Sequence, residues 1–226
     1  MLARILLDTA EVPGGGTLRL IRRGDELSIM LGANELMNSR LSGSEEALAQ
    51  LSLRRLTASK AARVLIGGLG MGFTLRAALA ELGPDARLTV AELVPGVVDW
   101  ARGPMASLFD GSLDDPRVQL RVSDVAELIG AAREDYDAIL LDVDNGPDGI
   151  TRVGNDQLYA ERGLKATWSA LSPGGVLAIW SSADDDAFTR RLRKIGFDVE
   201  VASARARAAG KGARHTIWIA SRPPRS

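Results

Sequence analysis

From Arg63 onward, short apolar runs alternate with helical segments. The runs predict strands at 63–67, 87–91, 117–121, 137–142, 175–181, 197–202 and 214–220, and the segments between predict helices near 72–82, 95–108, 124–131, 156–171 and 184–195. Several runs carry no polar residue at all. Ala138-Ile-Leu-Leu141 is one of them, and a strand covered on both faces reads this way. Regular β-α alternation implies an α/β protein with a doubly wound, mostly parallel sheet of seven strands. Pro173-Gly174-Gly175 predicts a sharp turn between a helix and a strand.

The first 55 residues have a different pattern. Thr17-Leu-Arg-Leu-Ile-Arg22 and Glu26-Leu-Ser-Ile-Met-Leu31 predict short strands joined by a turn at Arg23-Gly24-Asp25. A helix then opens at Ser44-Glu-Glu-Ala-Leu-Ala-Gln-Leu51, with Ser44 as its N-cap and acids in its first turn. The chain therefore divides into a small β unit with a connecting helix at 1–55 and an α/β unit at 56–226. Pro223-Pro224-Arg225 reads as a frayed tail.

Composition narrows the chemistry. The 226 residues are 46% hydrophobic and 25% charged, ordinary for a globular protein, and the net charge of −1 gives no general pull toward nucleic acid or an anionic membrane. There is no cysteine and one histidine, His215, which removes disulfides, thiolate chemistry and a multi-histidine metal centre. No apolar stretch approaches the ~20 residues of a membrane span, and the N-terminus lacks a secretory signal pattern. The expectation is a cytoplasmic protein that acts on a small molecule without a metal. Met30, Leu31, Leu36 and Met37 are candidates for a homodimer surface.

The most specific pattern begins at Arg63-Val-Leu-Ile-Gly-Gly-Leu-Gly-Met-Gly72. Gly68, Gly70 and Gly72 at alternate positions allow a tight strand-to-helix turn and let a ligand approach bare backbone. Glu92 closes the next strand, 20 residues after Gly72, where a carboxylate can accept both hydroxyls of a ribose. Two further acids follow strand ends, Asp124 after the third and Asp142 after the fourth. Asp124 is also a good N-cap. Together the three acids and the loop read as a nucleoside site, with Glu92 on the ribose, Asp124 on the adenine amino group and Asp142 facing the reacting end. The 143–156 loop, rich in glycine, reads as a lid over it.

This order of elements resembles the class I S-adenosylmethionine-binding fold, a Rossmann-like methyltransferase architecture in which Gly68-Leu69-Gly70-Met71-Gly72 matches the G-x-G-x-G loop. More narrowly, the chain resembles the spermidine synthase-like group. That group carries two acids spaced D-x-x-D after the fourth strand, then proline and glycine, and Asp142-Val-Asp-Asn-Gly-Pro147 echoes it. Leu158-Tyr159, Leu171-Ser-Pro-Gly-Gly175 and the small β unit fit the same group. The resemblance implies S-adenosylmethionine or its decarboxylated form as cofactor, with Gly68, Gly70, Met71, Gly72, Glu92 and Asp124 binding it. It implies Asp142 as the catalytic carboxylate, and Asp144, Asn145 and Tyr159 on the acceptor side.

Departures from the group decide between reactions. The loop aspartate that faces a cationic aminopropyl group is here Met71, the second acid of the pair is Asn145, and the group's tyrosine and glutamine at the helix start fall at Ser44 and Glu45. A polyamine site needs several carboxylates to replace lost water. On that balance methyl transfer to a small molecule leads narrowly, aminopropyl transfer follows, and a non-catalytic nucleoside binder is the reading from another class. His215 and the scattered tryptophans read as structural, with Trp180 close enough to the site to meet substrate. Arg205, Arg207, Lys211 and Arg214 read as a solvated hairpin.

Overall fold

A computed structural model describes residues 2–56, 61–143, 157–206 and 212–225. Seven strands form one sheet: β5 (Arg63–Gly67), β6 (Arg87–Glu92), β7 (Val118–Val122), β8 (Tyr136–Leu141), β9 (Leu171–Ser181), β10 (Asp198–Arg205) and β11 (Arg214–Ser221). Their order is β10-β11-β9-β8-β5-β6-β7. Every pairing is parallel except those of β11, which runs antiparallel to both β9 and β10. The strand order reverses between β5 and β8, so the carboxyl ends of these strands flank the crevice where ligands sit in such sheets. Ile66, Leu140, Ala178 and Leu65 are fully buried, as strands covered on both faces require.

Helices α2 (Phe73–Glu81), α3 (Pro95–Arg102), α4 (Ala106–Phe109), α5 (Val125–Ala131), α6 (Glu161–Ala170) and α7 (Asp186–Ile195) connect the strands. Asp185 caps α7 by accepting from the backbone amides of Ala187 and Phe188 at 2.7 and 3.0 Å. The base of the sheet is tied by Asp137, which accepts from the Arg63 backbone amide and guanidinium and from Ser172 Oγ.

A separate antiparallel sheet precedes this one. It contains β2 (Thr17–Arg23) and β3 (Glu26–Leu31) as expected, flanked by β1 (Ile5–Glu11) and β4 (Asn34–Asn38), which the sequence pattern did not reveal. β1 is an edge strand with exposed Ile5 and Leu6, and β4 has no sustained alternation, so neither carries a strand-like pattern. Trp100 Nε1 donates to Asp8 at 2.8 Å, linking β1 to α3. Leu18, Leu20, Leu27 and Ile29 of this sheet share a core with β5, β6 and α2. Helix α1 (Gly43–Leu53) packs against α2 and β9, and its first backbone amide, that of Gly43, donates to the carbonyl of Ala206.

Two local expectations change. Ser42, not Ser44, is the N-cap of α1; the Ser44 hydroxyl is turned to Glu45 Oε2 at 2.6 Å. Pro173-Gly174-Gly175 is not a turn before a strand but an irregular stretch within β9, where pairing with β8 shifts between Tyr136 and Ala138. Gly174 there donates to the carbonyl of Arg222, and Arg222 returns a bond to Gly175, so β9 holds its neighbour through the irregularity.

Candidate functional site

Two cavities meet above the carboxyl ends of β5, β6 and β8. The first, about 140 Å³, lies between the N-terminal sheet and the strand ends, and Gly68, Glu92, Asp124 and Asp142 are in its wall. The second, about 270 Å³, lies between β4, the start of α1, the glycine loop and the β9–β11 edge, and includes Glu45, Met71, Trp180 and His215. Leu36, Met37, Gly70 and Asp142 belong to both, so Asp142 stands where the cavities join.

The glycine loop is shaped first by the protein itself. Gly68 has φ +92°, and a Cβ there would collide with the backbone carbonyl of Asp142. Gly72 has φ +80°, and its Cβ would sit 2.5 Å from the Phe109 ring. The loop therefore reaches its position because β5 and β8 run close together and α4 packs beneath. Gly70, by contrast, faces Met37 in the wall common to both cavities.

Glu92 is 8% exposed and accepts from the backbone amides of Leu69 at 3.0 Å and Val94 at 2.9 Å. Burial raises its pKa, and these amides pull it back down. It thus braces the glycine loop from below while lining the first cavity. Asp124 accepts from the Ala126 amide at 2.8 Å and caps α5, while it also lines that cavity. Apolar groups of Leu93, Val94, Val97 and Val125 complete a slot suited to a flat base.

Asp142 is buried. Its Oδ2 accepts from Thr74 Oγ1 at 2.7 Å, a contact supplied by the first turn of α2. Burial raises its pKa to about 6, against the lowering effect of that hydroxyl. Glu45, in the first turn of α1, is raised further, to about 7, by burial and then by the charge on Asp142. The two carboxylates form an acid pair in a cavity wall. Neither cavity has a lysine or arginine among its described lining residues. Such a pair is suited to an ammonium and hostile to a carboxylate.

Trp180 and His215 form the far side of the second cavity. Their rings stack with centroids 4.7 Å apart and planes at 27°. His215 is half-buried, which lowers its pKa and keeps the imidazole neutral. The histidine thus lines a cavity beside Trp180.

The comparisons with known proteins converge. Polyamine aminopropyltransferase 1 of Streptomyces coelicolor is 33% identical over 122 residues, 53% of this chain and 22% of the relative. Polyamine aminopropyltransferase of Mycobacterium tuberculosis is 33% identical over 164 residues, 70% of this chain and 29% of the relative. The matched stretch spans less than a third of either relative. Among solved structures, spermidine synthase from Thermotoga maritima superposes with a TM-score of 0.76 at 20% identity, covering 97% of this chain and 74% of that one. A spermidine synthase in complex with the transition-state analogue AdoDATO gives 0.75 with 97% and 73% covered. No protein-family model matches the chain. The chain shares the fold of these spermidine synthases and is similar in sequence to part of the polyamine aminopropyltransferases.

Within this spermidine synthase-like frame the expected residues divide. Gly68, Gly70, Met71, Gly72, Glu92, Asp124 and Asp142 all reach the two cavities or the loop between them. Met71, in the position of the group's loop aspartate, is 2% exposed and packs into the core beneath the second cavity. Tyr159 is not brought there. It is 2% exposed in the core on the other side of the sheet, edge-on to Phe188 at 5.8 Å. Asp144, Asn145, Arg207, Lys211 and nearly all of the expected 143–156 lid lie outside the described residues. Of the residues expected at a dimer surface, Met30 is buried, while Leu31, Leu36 and Met37 line the first cavity. No helix among the described residues is long and apolar enough to cross a membrane.

The sequence reading named Glu45 only as a departure from the group's pattern, and it did not reveal Thr74 or the pairing of Trp180 with His215. Glu45 carried a usable signal, since it stands where the group has a neutral glutamine. An acid gained at the helix start offsets one lost from the loop.

Proposed function

We propose that this chain transfers an aminopropyl group from decarboxylated S-adenosylmethionine to a small amine. The observation that carries this reading is the acid pair Glu45 and Asp142 at the junction of the two cavities. The methionine tail of the intact nucleoside would bring its carboxylate toward two carboxylates, with no described cation in the wall to receive it. The decarboxylated tail brings only an ammonium, which the pair attracts. The relatives, named polyamine aminopropyltransferases, support the same choice. Methyl transfer, the leading reading from Met71 and Asn145, gives way because Glu45 restores an acid to the site.

The roles follow from position. Glu92 and the slot formed by Leu93, Val94 and Val125 hold the nucleoside, and Glu45 holds the tail ammonium. Asp142 takes the proton that the acceptor amine must lose. The amine nitrogen forms a bond to the propyl carbon next to sulfur, and the carbon–sulfur bond breaks with its electron pair going to sulfur. A neutral methylthioadenosine leaves. The sulfonium is already an activated leaving group, so alignment and proton removal supply most of the acceleration.

The test is to incubate the protein with decarboxylated S-adenosylmethionine and a mixture of small primary amines, and to measure methylthioadenosine by mass spectrometry. Amine-dependent release of methylthioadenosine is the expected result. Release from neither this donor nor the intact nucleoside, or S-adenosylhomocysteine formed from the latter, contradicts the reading.

A further inference from the structure

The far end of the second cavity does not match a diamine. Trp180 is the penultimate residue of β9 and His215 the second of β11, and the antiparallel register that pairs Trp180 with Ile217 sets the two rings face to face. Trp180 Nε1 and His215 Nδ1 are both buried and have no hydrogen-bond partner among the described residues. An indole N–H can only donate. A second ammonium on the acceptor can also only donate, so it leaves this group unmet. An oxygen accepts from it. A neutral imidazole, the form that burial favours at His215, has one donating and one accepting nitrogen and can match a hydroxyl either way.

Charge excludes a carboxylate at that end and leaves the choice between an ammonium and a neutral oxygen to the two unpaired nitrogens. Besides Glu45 and Asp142, the described wall has one further acid, Glu35. Glu35 is exposed, and its two oxygens accept from Ser28 Oγ at 2.9 Å and Asn38 Nδ2 at 2.8 Å. A carboxylate on the acceptor would meet three acids and no described lysine or arginine. A neutral oxygen avoids that repulsion.

We infer that the acceptor is a monoamine with a neutral hydrogen-bond-accepting oxygen at its far end, an amino alcohol in the simplest case, selected over a diamine by Trp180 and His215. The inference rests on the aminopropyl-transfer reading and names its acceptor class. A buried polar group left unpaired by one substrate and satisfied by another is a strong source of discrimination.

The test uses acceptors of matched length with decarboxylated S-adenosylmethionine: 4-aminobutan-1-ol, 1,4-diaminobutane and pentylamine. The amino alcohol is expected to exceed the diamine in kcat/KM by about 10-fold or more. Trp180→Phe, which keeps a ring and deletes the N–H, should bring that ratio toward one. A diamine equal to or better than the amino alcohol overturns the inference, as does a ratio unmoved by Trp180→Phe. Should that variant fail to fold, the acceptor series on the unaltered protein decides alone. If no acceptor turns over, the reaction itself is wrong. Calorimetry of the same three compounds, with methylthioadenosine present, then reads acceptor preference separately: tighter binding of the amino alcohol supports the selection, and tighter or equal binding of the diamine overturns it.

Discussion

In the proposed reaction Asp142 carries the chemistry because three features converge on it. The end of β8 delivers it to the junction of the cavities, burial raises its pKa to about 6, and Thr74 fixes one oxygen so that the other can face the acceptor. Replacing it with asparagine keeps the shape and removes the proton acceptor. Asp142→Asn should lower kcat by about 10²-fold or more while donor binding persists, measured by steady-state kinetics beside calorimetry. The pH dependence follows from the same groups. Activity needs Asp142 deprotonated to accept a proton and Glu45 charged to hold the tail, so kcat/KM should rise through pH 6–7. In Glu45→Gln the pair loses one of its two ionisations, so that rise should become shallower and the KM for donor weaker. A profile identical to that of the unaltered protein contradicts the role given to Glu45.

At the scale of elements, the glycine loop shows how packing sets a binding surface. Gly72 is pressed against Phe109 and holds φ +80°, so Gly72→Ala meets both a clash and an unfavourable backbone. It should destabilise the fold by about 1–3 kcal/mol, readable by denaturant unfolding, and tilt α2 enough to disturb Thr74. Most of these elements were legible in the sequence. The apolar runs of β5 and β8 are unambiguous because both faces of those strands are buried, and the acids Glu92 and Asp142 follow directly from where such runs stop. β1 and β4 were not legible because an exposed edge and a short strand carry little alternation. Neither was the wall of the second cavity. Glu45, Trp180 and His215 lie far apart in the chain, and only the docking of α1 against the β9–β11 edge brings them together. Tyr159 misled because adjacency in sequence to the 144–156 segment does not decide which side of the sheet a side chain enters.

For the whole molecule, the acid pair imposes a pH dependence on stability. Asp142 and Glu45 have folded pKa values raised from 3.8 to about 6 and from 4.5 to about 7. Between about pH 4 and 7 the folded state holds protons that the unfolded chain has released, so stability falls as pH rises and levels off above the pair's range. Acids held low, such as Asp115 at about 2 beside Arg117, change their contribution below this window and do not mask it. The ligand-free protein should melt at least about 3 °C lower at pH 8 than at pH 5.5, and Asp142→Asn should flatten that slope, measured by scanning calorimetry. Decarboxylated donor should recover the loss at pH 8, because its ammonium meets the charge that burial makes costly. The most direct measurement is therefore calorimetric titration of one preparation at pH 8 with S-adenosylmethionine and with its decarboxylated form. Clear preference for the decarboxylated nucleoside, lost in Glu45→Gln, is the predicted result. Preference for the carboxylated nucleoside would contradict the account, because an acid pair without a compensating cation could not then be what governs the site.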